Sequence, residues 1–491
     1  MCIRDSNVTL AAKMLTMVEM RERLLPTLLG LALIVASCSA EGIEATPVDV
    51  GVLSGALTAT SVAPAVPVTA VRPAPTTTTT TTPLDPPCVN RAFAFADENP
   101  QADELGSRID RALDHWGFEG HDVSVSVWVD GWGEIATHNP NLRLHPASNQ
   151  KVLTAIGANE LLDPTASLTT RIELVGNDLV IRPGGDPTLT FPRLLEAIDI
   201  ELPTIGASLD RIIIDATEFP QSPTADGWLE RHTPQFVGPL SGLMLNGNRW
   251  SSDAALIGNP EQENGERIAY FLRERGVEID SVFVARLVRP ATGRTLATLQ
   301  SEPIGSLIET MLRTSDNARA DLLLMELGRV TTGAGSLATG AEAVESVLRE
   351  SCGSVDGLID DGSGLSRQNW RSARSFVESI VAIHDTSEGQ LLRSQMPVGG
   401  VSGTLAGRFG GPNAGLVQAK TGTLFSARAL SGWAQMADGR DAIFSVIVNG
   451  EEGTLGGAIA AIDALVREII VDPAPLADPA VQPPAIEPLS E

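Results

Sequence analysis

The pattern of apolar and polar positions over 97–116 predicts a helix, and over 123–129 the period falls to two. Val-Ser-Val-Ser-Val-Trp-Val predicts a strand, and the turn residues Asp130-Gly131-Trp132-Gly133 with the run after Glu134 predict a hairpin. A further helix is expected from Pro146, since proline is tolerated in a first turn, continuing through Val152-Leu153-Thr154-Ala155. Between about Asp163 and Ala291 the texture changes. Short strands such as 179–182 and 211–215 alternate with turns rich in Gly, Pro and Asp, and one helix is expected at 263–275. Helices return at 304–314 and 318–327, then strands at 427–436 and 441–448 joined by Asp438-Gly439, then a helix at 456–470. Two strands, an insertion, helices, two strands and a helix predict an α+β fold. An antiparallel sheet, assembled from both ends of the chain and covered by helices, would carry a β-rich insert domain.

Outside this body the composition shifts. Arg21 and Arg23 precede an apolar run over 24–36 and then Ser37-Cys38-Ser39, the charged head, hydrophobic centre and small-residue cleavage region of an export signal. The run is too short for a membrane span. Residues before Met20 match no signal pattern, so the start is expected at Met14, Met17 or Met20. Val35-Ala36-Ser37-Cys38 is similar to a bacterial lipobox, which would make Cys38 the lipidated first residue and anchor the protein to the membrane. Ordinary secretion with Cys38 incidental is the other reading. Residues 39–92 are rich in Pro and Thr, with seven consecutive threonines from Thr76, and read as an extended tether. The expected organisation is signal at 1–38, tether at 39–92, a main domain at 93–162 and 292–472, insert at 163–291, and a disordered tail at 473–491.

A net charge of −26 and one tyrosine exclude a nucleic-acid partner, which requires a basic surface. Four cysteines show no C-x-x-C pair or Cys/His cluster, so no metal is expected. Cys88 and Cys352 are the two left in the body; a bridge outside the cytoplasm and two isolated thiols both remain open.

The most telling feature is a scarcity. The chain has three lysines, Lys13, Lys151 and Lys420, and the first lies upstream of the expected start. Arginine stays protonated, whereas a desolvated lysine can act as a base. Lys151 closes Ser148-Asn149-Gln150-Lys151, where helical spacing puts hydroxyl and amine on one face, the arrangement that activates a serine nucleophile. Lys420-Thr421-Gly422-Thr423, expected ahead of a strand, joins a cation to two hydroxyls that can grip a carboxylate, with Gly422 allowing close backbone approach. Ser315-Asp316-Asn317 stands before a helix, where such residues also serve as ordinary caps. No G-x-S-x-G elbow occurs, and the six histidines have no supporting context for a Ser-His-Asp hydrolase.

In order, S-x-x-K, S-D-N and K-T-G form the signature set of active-site-serine penicillin-recognising enzymes. The flanks Pro146-Ala147-Ser148, Gly184-Gly185-Asp186-Pro187-Thr188-Leu189, Asp361-Gly362-Ser363-Gly364-Leu365-Ser366-Arg367 and Gly400-Val401-Ser402-Gly403-Thr404-Leu405 resemble the class C low-molecular-mass penicillin-binding proteins, the D-alanyl-D-alanine carboxypeptidase/endopeptidase family. The resemblance implies a β-lactamase/transpeptidase-like fold and hydrolysis of D-Ala-D-Ala termini of peptidoglycan stem peptides, without metal or organic cofactor. β-Lactams are the implied inhibitors. It implies Ser148 as nucleophile, Lys151 as its base and Ser315 as proton relay. Asn317 would hold the substrate amide, Lys420, Thr421 and Thr423 the terminal carboxylate, and the N–H groups of Ser148 and Thr423 the oxyanion. Only 166 residues separate Ser148 from Ser315, short for the family, so one insert domain is expected. A wall-binding or β-lactam-sensing lipoprotein on the same fold, and a serine β-lactamase, are the competing readings.

Overall fold

The computed structural model describes residues 99–470 except 116–117, 119, 221–223, 249–257 and 287–292. The stretches expected to be an export signal, a tether and a tail, with Cys38 and Cys88, lie outside the described residues. Cys352 is disulfide-bonded.

Helix α1 (Pro100–His115) buries Leu105, Ile109, Ala112 and Leu113, an i, i+4, i+7, i+8 stripe on one face. The strands β1 (Asp122–Val129) and β2 (Gly133–His138) form the expected hairpin. After a 3₁₀ turn at Ala147–Asn149 comes α2 (Gln150–Leu161), buried on nearly every side. The inserted region follows, with β3 (Ser167–Val175), β4 (Asp178–Arg182), α3 (Phe191–Ile200), β5 (Ser208–Asp215), α4 (Pro260–Arg273), β6 (Glu278–Ala285) and β7 (Arg294–Pro303). Then come α5 (Ile304–Thr314), α6 (Asn317–Thr332), α7 (Leu337–Glu350), α8 (Ala373–Ile383) and α9 (Ser387–Gln395). The strands β8 (Val417–Leu424), β9 (Ala427–Gln435) and β10 (Asp441–Asn449) precede α10 (Ala458–Ile470).

The first sheet runs β8-β9-β10-β1-β2, antiparallel throughout, so the two ends of the chain meet where β1 pairs β10. Alternation along β1 sends Val123, Val125, Val127 and Val129 into a layer shared with α1 and α10. Trp128 points into the opposite layer, with α2, α5, α6 and α8. Both faces are therefore buried, and the serines of β1 find partners inside: Ser124 Oγ donates to the Asn139 carbonyl at 3.0 Å and Ser126 Oγ to Glu134 Oε1 at 2.8 Å.

The inserted sheet, in order β6-β5-β4-β3-β7, is mixed: β4, β5 and β6 are parallel and connected through α3 and α4, and its core is separate from the two above. Two expectations need correction. The insert does not stop at 291, because β7 pairs with β3 through Pro303 before α5 begins. The third motif, expected only ahead of a strand, is itself inside one: it lies in β8, at the edge of the first sheet, with β9 following.

Candidate active site

The segment carrying Ser148 is held between a turn and a sheet. Ala147 adopts φ 48°, unusual for a residue with a side chain, and Ser148 follows in the 3₁₀ turn that opens α2. Asn149 Nδ2 donates to Ser431 Oγ at 2.6 Å, and Ser431 meets Ser445 at 2.7 Å, tying the turn to β9 and β10. At Gly422 a Cβ would come within 2.8 Å of the Pro146 carbonyl, so glycine lets β8 press against this turn.

Three motifs distant in sequence converge here. Lys151 is buried at the base of the cleft while Ser148 stays half-buried above it. Lys151 Nζ lies 3.1 Å from Ser148 Oγ, 2.8 Å from Asn317 Oδ1 and 2.5 Å from the Ser363 carbonyl. Ser315 ends α5 in the left-handed region at φ 61°, which turns the chain so that Asp316 caps α6 and Asn317 begins it. Asp316 accepts from the Arg319 N–H, so the capping role expected of such a triplet belongs to it, while Ser315 and Asn317 face the lysines. Lys420, also buried, donates to Ser315 Oγ at 3.0 Å and to the Thr421 carbonyl at 2.7 Å. Thr421 Oγ1 donates to Thr404 Oγ1 at 2.8 Å, and Thr423 is exposed at the end of β8.

Burial sets the electrostatics. It pushes the Lys151 amine down to about 8, against the carboxylates of Asp321, Asp361 and Asp316, which favour its charged form. Burial also holds Lys420 well below the usual lysine value, and the charge of Lys151 adds to the effect. His145, three residues before Ser148, is lowered to about 4 by burial, and its Nε2 lies 2.8 Å from the Ser366 carbonyl. Neutral or near-neutral lysines are what proton transfer at a serine requires.

Several contributors escaped the sequence reading. The Ser363 carbonyl and Asp321 bear on Lys151, and Thr404 bears on Thr421. The insert also takes part. Asn317 Nδ2 donates to the Phe236 carbonyl at 3.2 Å, Trp228 Nε1 to Asp361 Oδ2 at 2.7 Å, and Arg231 pairs with Glu452 while its guanidinium lies 4.2 Å from the Phe425 ring centroid. The blocks 361–367 and 400–405 pointed to Ser363 and Thr404; nothing local in the sequence pointed to Phe236 or Asp321. A cavity of about 310 Å³ opens beside Ser315 and Asn317, walled by Phe236, Val237 and Met244. Among the described residues no group of three His, Cys, Asp or Glu side chains is arranged to hold a metal ion.

A serine, a depressed lysine one turn away and a second buried lysine on an edge strand define a penicillin-recognising acyl-transfer enzyme of the active-site-serine type. The chain belongs to the D-Ala-D-Ala carboxypeptidase 3 (S13) family, whose profile matches residues 108–258 and 254–468, and it is a serine-type D-Ala-D-Ala carboxypeptidase. It is 28% identical over 432 residues to carboxypeptidase DacB of Mycolicibacterium smegmatis, covering 82% of this chain and 86% of that one. It is 27% identical to the D-alanyl-D-alanine carboxypeptidase of Actinomadura sp. strain R39, covering 71% and 82%. The crystal structure of penicillin binding protein 4 from Haemophilus influenzae superposes with a TM-score of 0.66 at 22% identity, covering 73% of this chain and 97% of that one. That protein has also been crystallised with a β-lactam.

Proposed function

We propose that Ser148 attacks the carbonyl of the penultimate D-alanine of a peptidoglycan stem peptide, and that Lys151 takes its proton. The observation that carries this reading is the set of contacts at Lys151 Nζ. Two acceptors, Asn317 Oδ1 and the Ser363 carbonyl, match the two N–H bonds of a neutral amine, which leaves the lone pair for the Ser148 hydroxyl 3.1 Å away. The N–H groups of Ser148 and Thr423 would then stabilise the oxyanion, the contribution usually largest in acyl transfer. Ser315, in contact with Lys420, hands its hydroxyl proton to the departing D-alanine and regains the one that Lys151 took from Ser148, so the proton is relayed from nucleophile to leaving group. Lys420, Thr421 and Thr423 take the terminal carboxylate, whose negative charge opposes the downward push that burial exerts on the Lys420 amine. Asn317 bridges Lys151 and the substrate amide, and Gly422 keeps β8 close to the nucleophile. Water hydrolyses the acyl-serine.

The substrate places the work outside the cytoplasm. Lipidation at Cys38 would anchor the enzyme at the envelope, with the 39–92 tether giving it reach into the wall. Among the described residues no helix is long and apolar enough to cross a membrane. A cross-linked peptide is a second substrate favoured by one observation, the cavity beside Ser315, which gives room for a leaving group larger than D-alanine.

A fluorescent penicillin tests the reading. The wild-type protein is expected to carry one covalent label on the peptide containing Ser148, and Ser148→Ala none. Labelling that survives in Ser148→Ala contradicts it, and rapid release of hydrolysed penicillin would mark a β-lactamase instead.

A further inference from the structure

The orientation of Lys151 depends on a backbone turn, and that turn depends on a carboxyl group with no place in the scheme above. Gly362 and Ser363 are clamped between two helices. From α2, Thr154 Oγ1, three residues beyond Lys151, donates to the Gly362 carbonyl at 2.9 Å. From α6, Asp321 Oδ1 accepts both the Gly362 N–H and the Ser363 N–H, each at 2.9 Å. The contact is close enough that a Cβ at Gly362 would lie 2.4 Å from the Ala320 carbonyl. Asp321 follows Asn317 by one helical turn, so one face of α6 delivers both acceptors of the Lys151 N–H bonds: Asn317 directly, and the Ser363 carbonyl through the turn that Asp321 grips. Asp361, next to the turn, is already occupied by the N–H groups of Gly364 and Ser366 and by Asn369 and Trp228.

We propose that Asp321 is a positioning residue for serine acylation: it fixes the 362–363 peptide so that the Ser363 carbonyl takes one N–H of Lys151, turning the amine's lone pair toward Ser148, and its carboxyl group sets the field at that amine. The inference rests on Lys151 being the proton acceptor. Its electrostatic part has support in the surroundings. Asp321 is fully buried, and burial, with the charge of Asp361 adding and that of Lys151 opposing, holds its carboxyl well above the usual carboxylate range. The charged groups facing Lys151 are Asp321, Asp361 and Asp316 on the acidic side and Lys420 on the basic side. The charge of Lys151 opposes the rise at Asp321 and draws that carboxyl toward its ionised form, which in turn favours the ammonium, so removing the carboxyl makes Lys151 lose its proton at lower pH.

The test is the pH profile of the acylation rate constant with saturating penicillin, followed by mass spectrometry for wild type, Asp321→Asn, Asp321→Ala and Lys151→Ala. Asp321→Asn keeps an oxygen for both N–H groups. It is expected to hold the plateau within about threefold of wild type while its acid limb moves down by about half a pH unit or more. Asp321→Ala, with near-UV circular dichroism unchanged, is expected to lower the plateau about tenfold or more at every pH. An Asp321→Asn profile that superimposes on wild type, or a folded Asp321→Ala with a wild-type plateau, overturns the proposal. Should the alanine variant not fold, the asparagine limb decides alone. Lys151→Ala separates the two levels. If it acylates at the wild-type rate, the role of Lys151 fails; if it is dead while Asp321→Asn matches wild type, only the role of Asp321 fails.

Discussion

The cleft and the insert face the same problem, positive charge taken out of water, and answer it in opposite ways. In the insert Arg182 sits between Glu173 and Asp215, with side-chain exposures of 13%, 12% and 5%, so its charge is compensated where it lies. In the cleft Lys151 and Lys420 are 0% exposed, and among the described residues neither touches a carboxylate. Their neighbours are hydroxyls, an amide and carbonyls, and burial pushes both amines toward the neutral form. Pairing compensates the buried charge of the insert, whereas the cleft leaves two amines pushed toward their neutral forms. The difference also explains the residue types, because the arginine of the insert cannot follow the second route.

The sharpest break of that contrast is Lys151→Arg, which puts the insert's solution into the cleft. The guanidinium keeps its proton, so acylation by penicillin is expected to fall by about 10³-fold or more while the protein still folds. Rapid-quench mass spectrometry measures it, and a rate close to wild type would erase the distinction. The converse change is Arg182→Met. It leaves Glu173 and Asp215 buried, with only the half-exposed Arg171 still within 3.5 Å of Glu173. Urea unfolding is expected to show a loss of about 3 kcal/mol with kcat unchanged. A loss of activity without a loss of stability would mean that the insert's ion pairs serve the chemistry after all. The smallest effect is expected from Thr404→Val, which removes the hydroxyl that accepts from Thr421. KM for a D-Ala-D-Ala peptide should rise a few-fold, equivalent to about 1 kcal/mol, with kcat close to wild type. A fall in kcat alone would place Thr404 nearer the reacting atoms.

Much of this was legible from the chain. The alternation of Val and Ser around Val125 revealed β1, because its valines fill one layer while its serines make hydrogen bonds on the other face, and the apolar stripe after Ile304 revealed α5, because it turns one face to the core. The lysine scarcity pointed to Lys151 and Lys420, which the structure buries in one cleft, because a desolvated lysine can lose a proton where arginine cannot. The strand carrying Lys420, Thr421 and Gly422 was hidden by its own composition, since polar and glycine positions at a functional edge blur the period of two. The parallel pairing of β4 with β5, and the place of β7 beside β3, were out of reach because strand partners are chosen by packing at long range. Asp321 and the Phe236 carbonyl were invisible for a related reason. One looked like an ordinary helical acid, and the other acts through its backbone.

The central claim is that a buried, deprotonatable Lys151 activates Ser148. The pH dependence of the saturating acylation rate constant addresses it directly. Because the neutral amine is the base, the rate should rise about tenfold per pH unit on the acid side and level off above a midpoint near the depressed value of about 8. The account is contradicted by a rate that stays flat between about pH 6 and 9, or by a single limb in the ordinary carboxylate range near about pH 4.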